Sequence, residues 1–94
     1  MLLQAINKVA NQFIITGVPA TQSFDGVDMP SGSRFQSYDS VIVHKSTCGD
    51  VYLDKSTWDY SVTTSKHRGT FLGENTKTTR TKIESGEYKL VDLN

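Results

Sequence analysis

The sequence predicts a single small α+β domain built from a short N-terminal helix, a central antiparallel β-hairpin, two C-terminal helices and a short terminal strand or tail. Three observations lead there. Leu2, Ile6, Val9 and Phe13 recur at helical spacing, and so do Tyr60, Thr64, His67 and Phe71. Between them, the runs Val41-Ile42-Val43 and Val51-Tyr52-Leu53 flank a turn that contains Gly49. A chain of 94 residues has room for one modest core, so the domain is expected to span residues 1–94.

The first stripe, with Gln4, Asn7, Lys8 and Asn11 off its apolar line, reads as an amphipathic helix. It runs into Phe13-Ile14-Ile15, whose β-branched residues suit a strand equally well, which leaves the boundary near Gly17 open. Residues 18–34 hold two Pro, Phe24-Asp25-Gly26 and Met29-Pro30-Ser31-Gly32, and read as a long loop with room for one short strand. In the hairpin, alternation puts Ile42 and His44 on one face and Val41 and Val43 on the other. Gly73 is placed to cap the helix that carries Tyr60 to Phe71, and Asn75 to open a last helix from Thr76 to Ser85. Residues 87–93 alternate polar with apolar, as an edge strand or an extended tail does.

Composition narrows the function classes. Ten Lys/Arg balance ten Asp/Glu, which removes the arguments from bulk charge for a basic nucleic-acid binder and for an acidic DNA mimic. The balance is uneven along the chain, since residues 1–60 carry four basic against six acidic residues and residues 61–94 six against four. The lone Cys48 has no partner for an internal disulfide and fits a reducing compartment. No apolar run approaches the roughly 18 residues of a membrane span, and no signal peptide opens the chain, so a soluble cytosolic protein with no membrane partner is expected.

The chemically richest stretch is Trp58-Asp59-Tyr60-Ser61-Val62-Thr63-Thr64-Ser65-Lys66-His67-Arg68. His67 is a candidate general base, but its hydroxyl neighbours lack the turn that presents a nucleophile, and a structural helix histidine is the simpler reading. His44, on a strand, would be an independent site. One Cys and two His do not make a zinc site, the Asp residues do not reproduce a calcium loop, and Gly69 and Gly73 lack phosphate-loop spacing. No catalytic, metal or cofactor site is therefore expected, nor an enzyme. Lys66, Arg68, Lys77, Arg80 and Lys82 are the candidate partner-binding residues, a basic face set among hydroxyls that either meets phosphates or is simply solvated. Trp58, Tyr60 and Phe71 are expected to be structural anchors, since large aromatics are the scarce source of buried area here.

The block Phe35-x-Ser37-Tyr38-x-Ser40-x-Ile42, followed by Val51-Tyr52-Leu53-Asp54 and the stretch from Trp58 to His67, resembles a group of small bacteriophage-encoded proteins of unknown function. The likeness covers roughly residues 35–72. The resemblance implies a phage context, in which countering a host defence system and acting on nucleic acid are common roles. The expectation is then a non-catalytic accessory protein of the host cytoplasm that binds and inhibits a host protein complex of antiviral defence. Nucleic-acid binding through residues 66–82 is the alternative. A homodimer is expected too, because a short chain gains core by pairing.

Overall fold

The computed structural model describes the backbone of residues 2–5 and the whole of residues 11–94. Over these residues the protein is mostly β, which corrects the expected fold. In place of an N-terminal helix, β1 (Leu2–Ala5) and β2 (Gln12–Val18) pair antiparallel, with Leu3 opposite Ile15 and Ala5 opposite Phe13. Residues 6–10, which the expected helix also covered, lie outside the described residues. The β-branched run Ile14-Ile15-Thr16 prefers extended backbone, and β2 is hydrogen-bonded along both edges, to β1 and to β5.

The expected long loop is largely structured. Within it β3 (Thr21–Gln22) and β4 (Asp28–Met29) form a small two-stranded arm, and β5 (Gly32–Ser37) begins at its end. Gly32 is required there, because a Cβ would collide with the backbone of Lys45 and Ser46 on the next strand. Nor does a central hairpin stand as a unit. Val41 to Val43 and Val51 to Leu53 belong to β6 (Ser40–Ser46) and β7 (Val51–Asp54), two inner strands of a six-stranded sheet ordered β1-β2-β5-β6-β7-β8. A register shift sets Phe35 opposite Val43 and Gln36 opposite Val41, leaving Ile42 as the extra residue. That bulge interrupts the alternation, and Ile42 and Val43 both enter the same core cluster.

From β7 the chain crosses over through α1 (Val62–Leu72) and α2 (Thr76–Glu84) and returns as β8 (Tyr88–Val91), parallel to β7 at the sheet edge. Ser61 caps α1 by accepting from the Thr64 N–H, and Gly73 ends it in a left-handed conformation, φ 73°. Asn75 caps α2 in the same way through the Thr78 N–H. The helices cover one sheet face, where Phe35, Ile42, Val43, Val51, Leu53 and Tyr88 form the main core. The arm and the C-terminal residues cover the other, around Met29, Tyr52, Val91 and Leu93. Among the described residues no helix is long and apolar enough to cross a membrane.

Candidate functional site: a groove at the start of helix α1

The basic face expected on α1 and α2 does not assemble. Arg68 is fully buried: its guanidinium donates to the Trp58 carbonyl, to Ser65 Oγ at 3.3 Å and to Thr76 Oγ1 at 2.7 Å, with Asp59 at 3.9 Å. It ties the Trp58 segment to both helices through its two terminal nitrogens, leaves its buried Nε–H without an acceptor, and is not a surface contact because no part of it reaches solvent. Arg80 lies exposed but pairs with Asp59 at 2.7 Å. The two guanidiniums flank Trp58, 5.2 and 5.1 Å from its ring centroid. Lys82 is held by Glu74 at 3.0 Å and approaches Glu87 at 3.6 Å. Lys66 and Lys77 are exposed and, among the described residues, take part in no ion pair.

The aromatics divide. Trp58 and Phe71 pack against the main core, Phe71 stacking on Phe35 with centroids 6.2 Å apart. Tyr60 is no anchor, for it is 52% exposed, standing in the turn that leads into α1. Val62 beside it is 88% exposed, at the first helical position.

These two residues stand at a groove of about 780 Å³. One wall is the entry to α1, from Asp59 to Val62, continued by Ser65 and Lys66; the other is the turn into α2, from Glu74 to Thr76. Gly69 lets the walls approach. The N–H groups of Gly73 and Glu74 both donate to its carbonyl, at 2.7 and 3.0 Å, and a Cβ on Gly69 would stand 2.6 Å from the Glu74 carbonyl oxygen. The carboxylates in the walls are occupied. Asp59 takes Arg80 and the Ser65 hydroxyl, while Glu74 accepts from Thr79 at 2.5 Å, Tyr88 at 2.6 Å and Lys82. Burial alone would raise the Glu74 carboxyl, but the bonds from Thr79, Tyr88 and Lys82 outweigh it and hold the group below its ordinary value. The same contacts with Glu74 and Tyr88 push the Lys82 ammonium up.

The groove's lining sets hydroxyls, an amide, two carboxylates and Lys66 beside Tyr60 and Val62. None of its lining side chains is a histidine or a cysteine, and the Ser61 and Asn75 oxygens are engaged as helix caps. His67, half-buried on α1, is not among the lining residues, and His44 lies buried on the opposite face of the sheet beside Arg34 and Tyr52. Cys48 is exposed in the β6–β7 turn. Among the described residues no group of three or more His, Cys, Asp or Glu is placed to hold a metal ion. Ser61 is of a residue type that caps helices, a signal that could have placed the helix start at Val62 and left Tyr60 outside it. The approach at Gly69 has no comparable signal.

A family model covers residues 3–87, and the chain belongs to that family, described as a family of unknown function (DUF8033). No curated protein and no solved structure matches it.

Proposed function

We propose that this member of the family is a phage-encoded accessory protein that binds and inhibits a host protein complex of antiviral defence, acting in the host cytoplasm without catalysing a reaction. The phage context comes from the resemblance over residues 35–72. The observation that supports binding is the groove beside α1, where Tyr60 and Val62 are exposed although the rest of the chain is short of buried apolar area. An aliphatic side chain left in water at a helix start, next to a half-exposed tyrosine, resembles the aromatic-rich centre of protein interfaces. The distribution of charge favours a protein over a nucleic acid: Arg68 is buried, and Arg80 and Lys82 are paired, so of the expected basic face only Lys66 and Lys77 are left, too few for a phosphate track.

The test is affinity capture of the tagged chain from host cells, run beside Val62→Asp. Val62 is almost wholly exposed, so the variant keeps the fold while placing a charge in the groove mouth. One host complex enriched by the parent chain and lost with Val62→Asp is the expected result. No enriched complex, or equal enrichment by both chains, overturns the reading, and so does tight salt-sensitive binding of an oligonucleotide in place of any protein.

A further inference from the structure

Of the three arginines in the chain, Arg68 and Arg80 lie beside a carboxylate, and among the described residues Arg34 on β5 pairs with none. Its Nε–H donates to Nδ1 of His44 at 3.0 Å, and the other ring nitrogen of His44 is held by the Pro30 carbonyl at 2.7 Å. A guanidinium is planar, so fixing the Nε–H direction also fixes the plane of Nη1 and Nη2. Among the described residues nothing accepts from those two nitrogens, and neither is a buried atom left without a partner, so the end of the fork opens to water.

The group that orients Arg34 leaves its charge uncompensated. A half-buried cation is ordinarily matched by an acid, whereas the neutral His44 ring contributes direction alone. Burial lowers the pKa of Arg34, and no carboxylate acts to raise it. Asp28 on the arm accepts from Gln22, and Asp50 in the β6–β7 turn accepts from Cys48.

The sheet next to Arg34 is apolar and uncovered among the described residues. Ile15 of β2 stands directly opposite Arg34, and Phe13 stands opposite Gln36, two residues along β5. Residues opposite one another in an antiparallel pair share a face, so Ile15 and Phe13 lie on the side of Arg34, His44 and Tyr52. Both are half-buried, and neither packs into the main core or the arm's cluster. That cluster reaches β6, β7 and β8 through Val41, Tyr52 and Val91 and takes in no residue of β2 or β5. The arm's own pocket, about 800 Å³ beside Met29, Pro30 and Tyr52, does not include Arg34 either.

We infer that Arg34, with Ile15 and Phe13 beside it, forms a binding site for a small molecule that carries an oxyanion, a carboxylate or a phosphate, on an apolar ring. The oxyanion pairs with Nη1 and Nη2 in the plane that His44 sets, and the ring lies over Ile15 and Phe13. Planar recognition of this kind suits an arginine and not a lysine. The site is on the opposite face of the sheet from α1 and its groove, and it does not depend on the protein-binding function proposed above.

The probes are benzoate and phenyl phosphate, titrated into the full chain and followed by NMR through the arginine Nε–H resonances and the backbone amides. At least one of them should move the Arg34 Nε–H together with the amides of Phe13 and Ile15, with a Kd on the order of 1 mM. The tighter of the two identifies the oxyanion as carboxylate or phosphate. Benzamide, without the charge, and acetate or inorganic phosphate, without the ring, should each bind about tenfold more weakly. Arg34→Lys keeps the charge and loses the fork, and should weaken the bound probe about tenfold. Phe13→Ala leaves Arg34 in place and should weaken the ring anions while sparing acetate and inorganic phosphate. Lys45→Ala, at an exposed cation on the other face of β6, should change nothing. A merely structural Arg34 predicts a lower melting temperature for Arg34→Lys while neither probe moves the parent's Arg34 resonance, and that result overturns the inference. So does equal binding of benzamide, or an equal loss in Lys45→Ala and Arg34→Lys.

Discussion

Arg34 donates its Nε–H to Nδ1 of His44 at 3.0 Å, and the other ring nitrogen of His44 donates to the Pro30 carbonyl at 2.7 Å. The two partners together require a neutral imidazole with its proton on Nε2. The ring is buried between β5, which supplies Arg34, and β7, which supplies Tyr52 with its ring centroid 6.0 Å away, and it holds the link from the arm onto the sheet through Pro30.

Acid should therefore weaken the fold through His44. Burial lowers its pKa below the ordinary 6.5; the Pro30 carbonyl opposes that shift and the Arg34 cation adds to it. With the folded value below the unfolded one, this contribution is fully present above about pH 6.5 and is lost as the pH falls through the folded value. Melting temperature recorded from pH 7.5 to pH 5 should fall for the parent chain. His44→Gln, which keeps a donor for Pro30 and does not titrate, should be less stable at pH 7.5 and flatter across that range. Parallel curves would show that His44 contributes nothing to the acid response.

Arg68 should tolerate no shorter cation. An ammonium cannot reach the Trp58 carbonyl and the Thr76 hydroxyl at once, so Arg68→Lys leaves buried acceptors unmet and should cost about 2–4 kcal/mol in urea unfolding. The variant also removes one of the two guanidiniums flanking the only tryptophan, so the native emission of Trp58 should change with it. Arg80→Lys, at an exposed ion pair, should cost under about 1 kcal/mol.

These two sites mark what the sequence could and could not convey. Helix ends are local events, and Gly73 and Asn75 show them in the chain because a left-handed cap and a side-chain cap each need a particular residue type. The N-terminal stripe misleads because Leu2 and Phe13 satisfy a helical period while also serving on two paired strands, and only the β-branched run at Ile14-Ile15-Thr16 argues the other way. Arg68 misleads for a different reason. An arginine on a helix is usually a surface residue, and its burial depends on a carbonyl ten residues earlier and a hydroxyl eight residues later, which no local pattern announces. Tyr60 and Val62 reach the groove only once the turn into α2 is laid beside them, an approach that depends on the missing side chain of Gly69.

Gly69→Ala should reverse the usual rule for helices. In a solvated helix interior the change is worth up to about 1 kcal/mol in favour of the fold. Here the added methyl meets the backbone oxygen of Glu74 at 2.6 Å, and backbone cannot turn away as a side-chain end does. The expected result is a loss of about 1–3 kcal/mol by thermal or urea unfolding. Host capture through the groove should weaken too, because the α2 wall is pushed outward. A stabilised Gly69→Ala would show that the two helices do not approach this closely.

The C-terminal residues should prove as necessary as an internal strand. Leu93 is buried with Met29, Tyr52 and Val91, and its N–H donates to the buried carboxylate of Asp54 at 2.9 Å. Asn94 then uses its amide as a strand residue uses its backbone, accepting from the Val41 N–H at 2.8 Å and donating to the Val41 carbonyl at 2.9 Å. Asn94→Ala removes only that exposed pair of bonds and should cost about 1 kcal/mol. Deleting both residues also uncovers an apolar cluster and leaves Asp54 short of a donor, a combined loss of about 3–5 kcal/mol. Urea midpoints of the two variants separate the contributions. A double deletion no worse than Asn94→Ala would mean that Leu93 closes nothing.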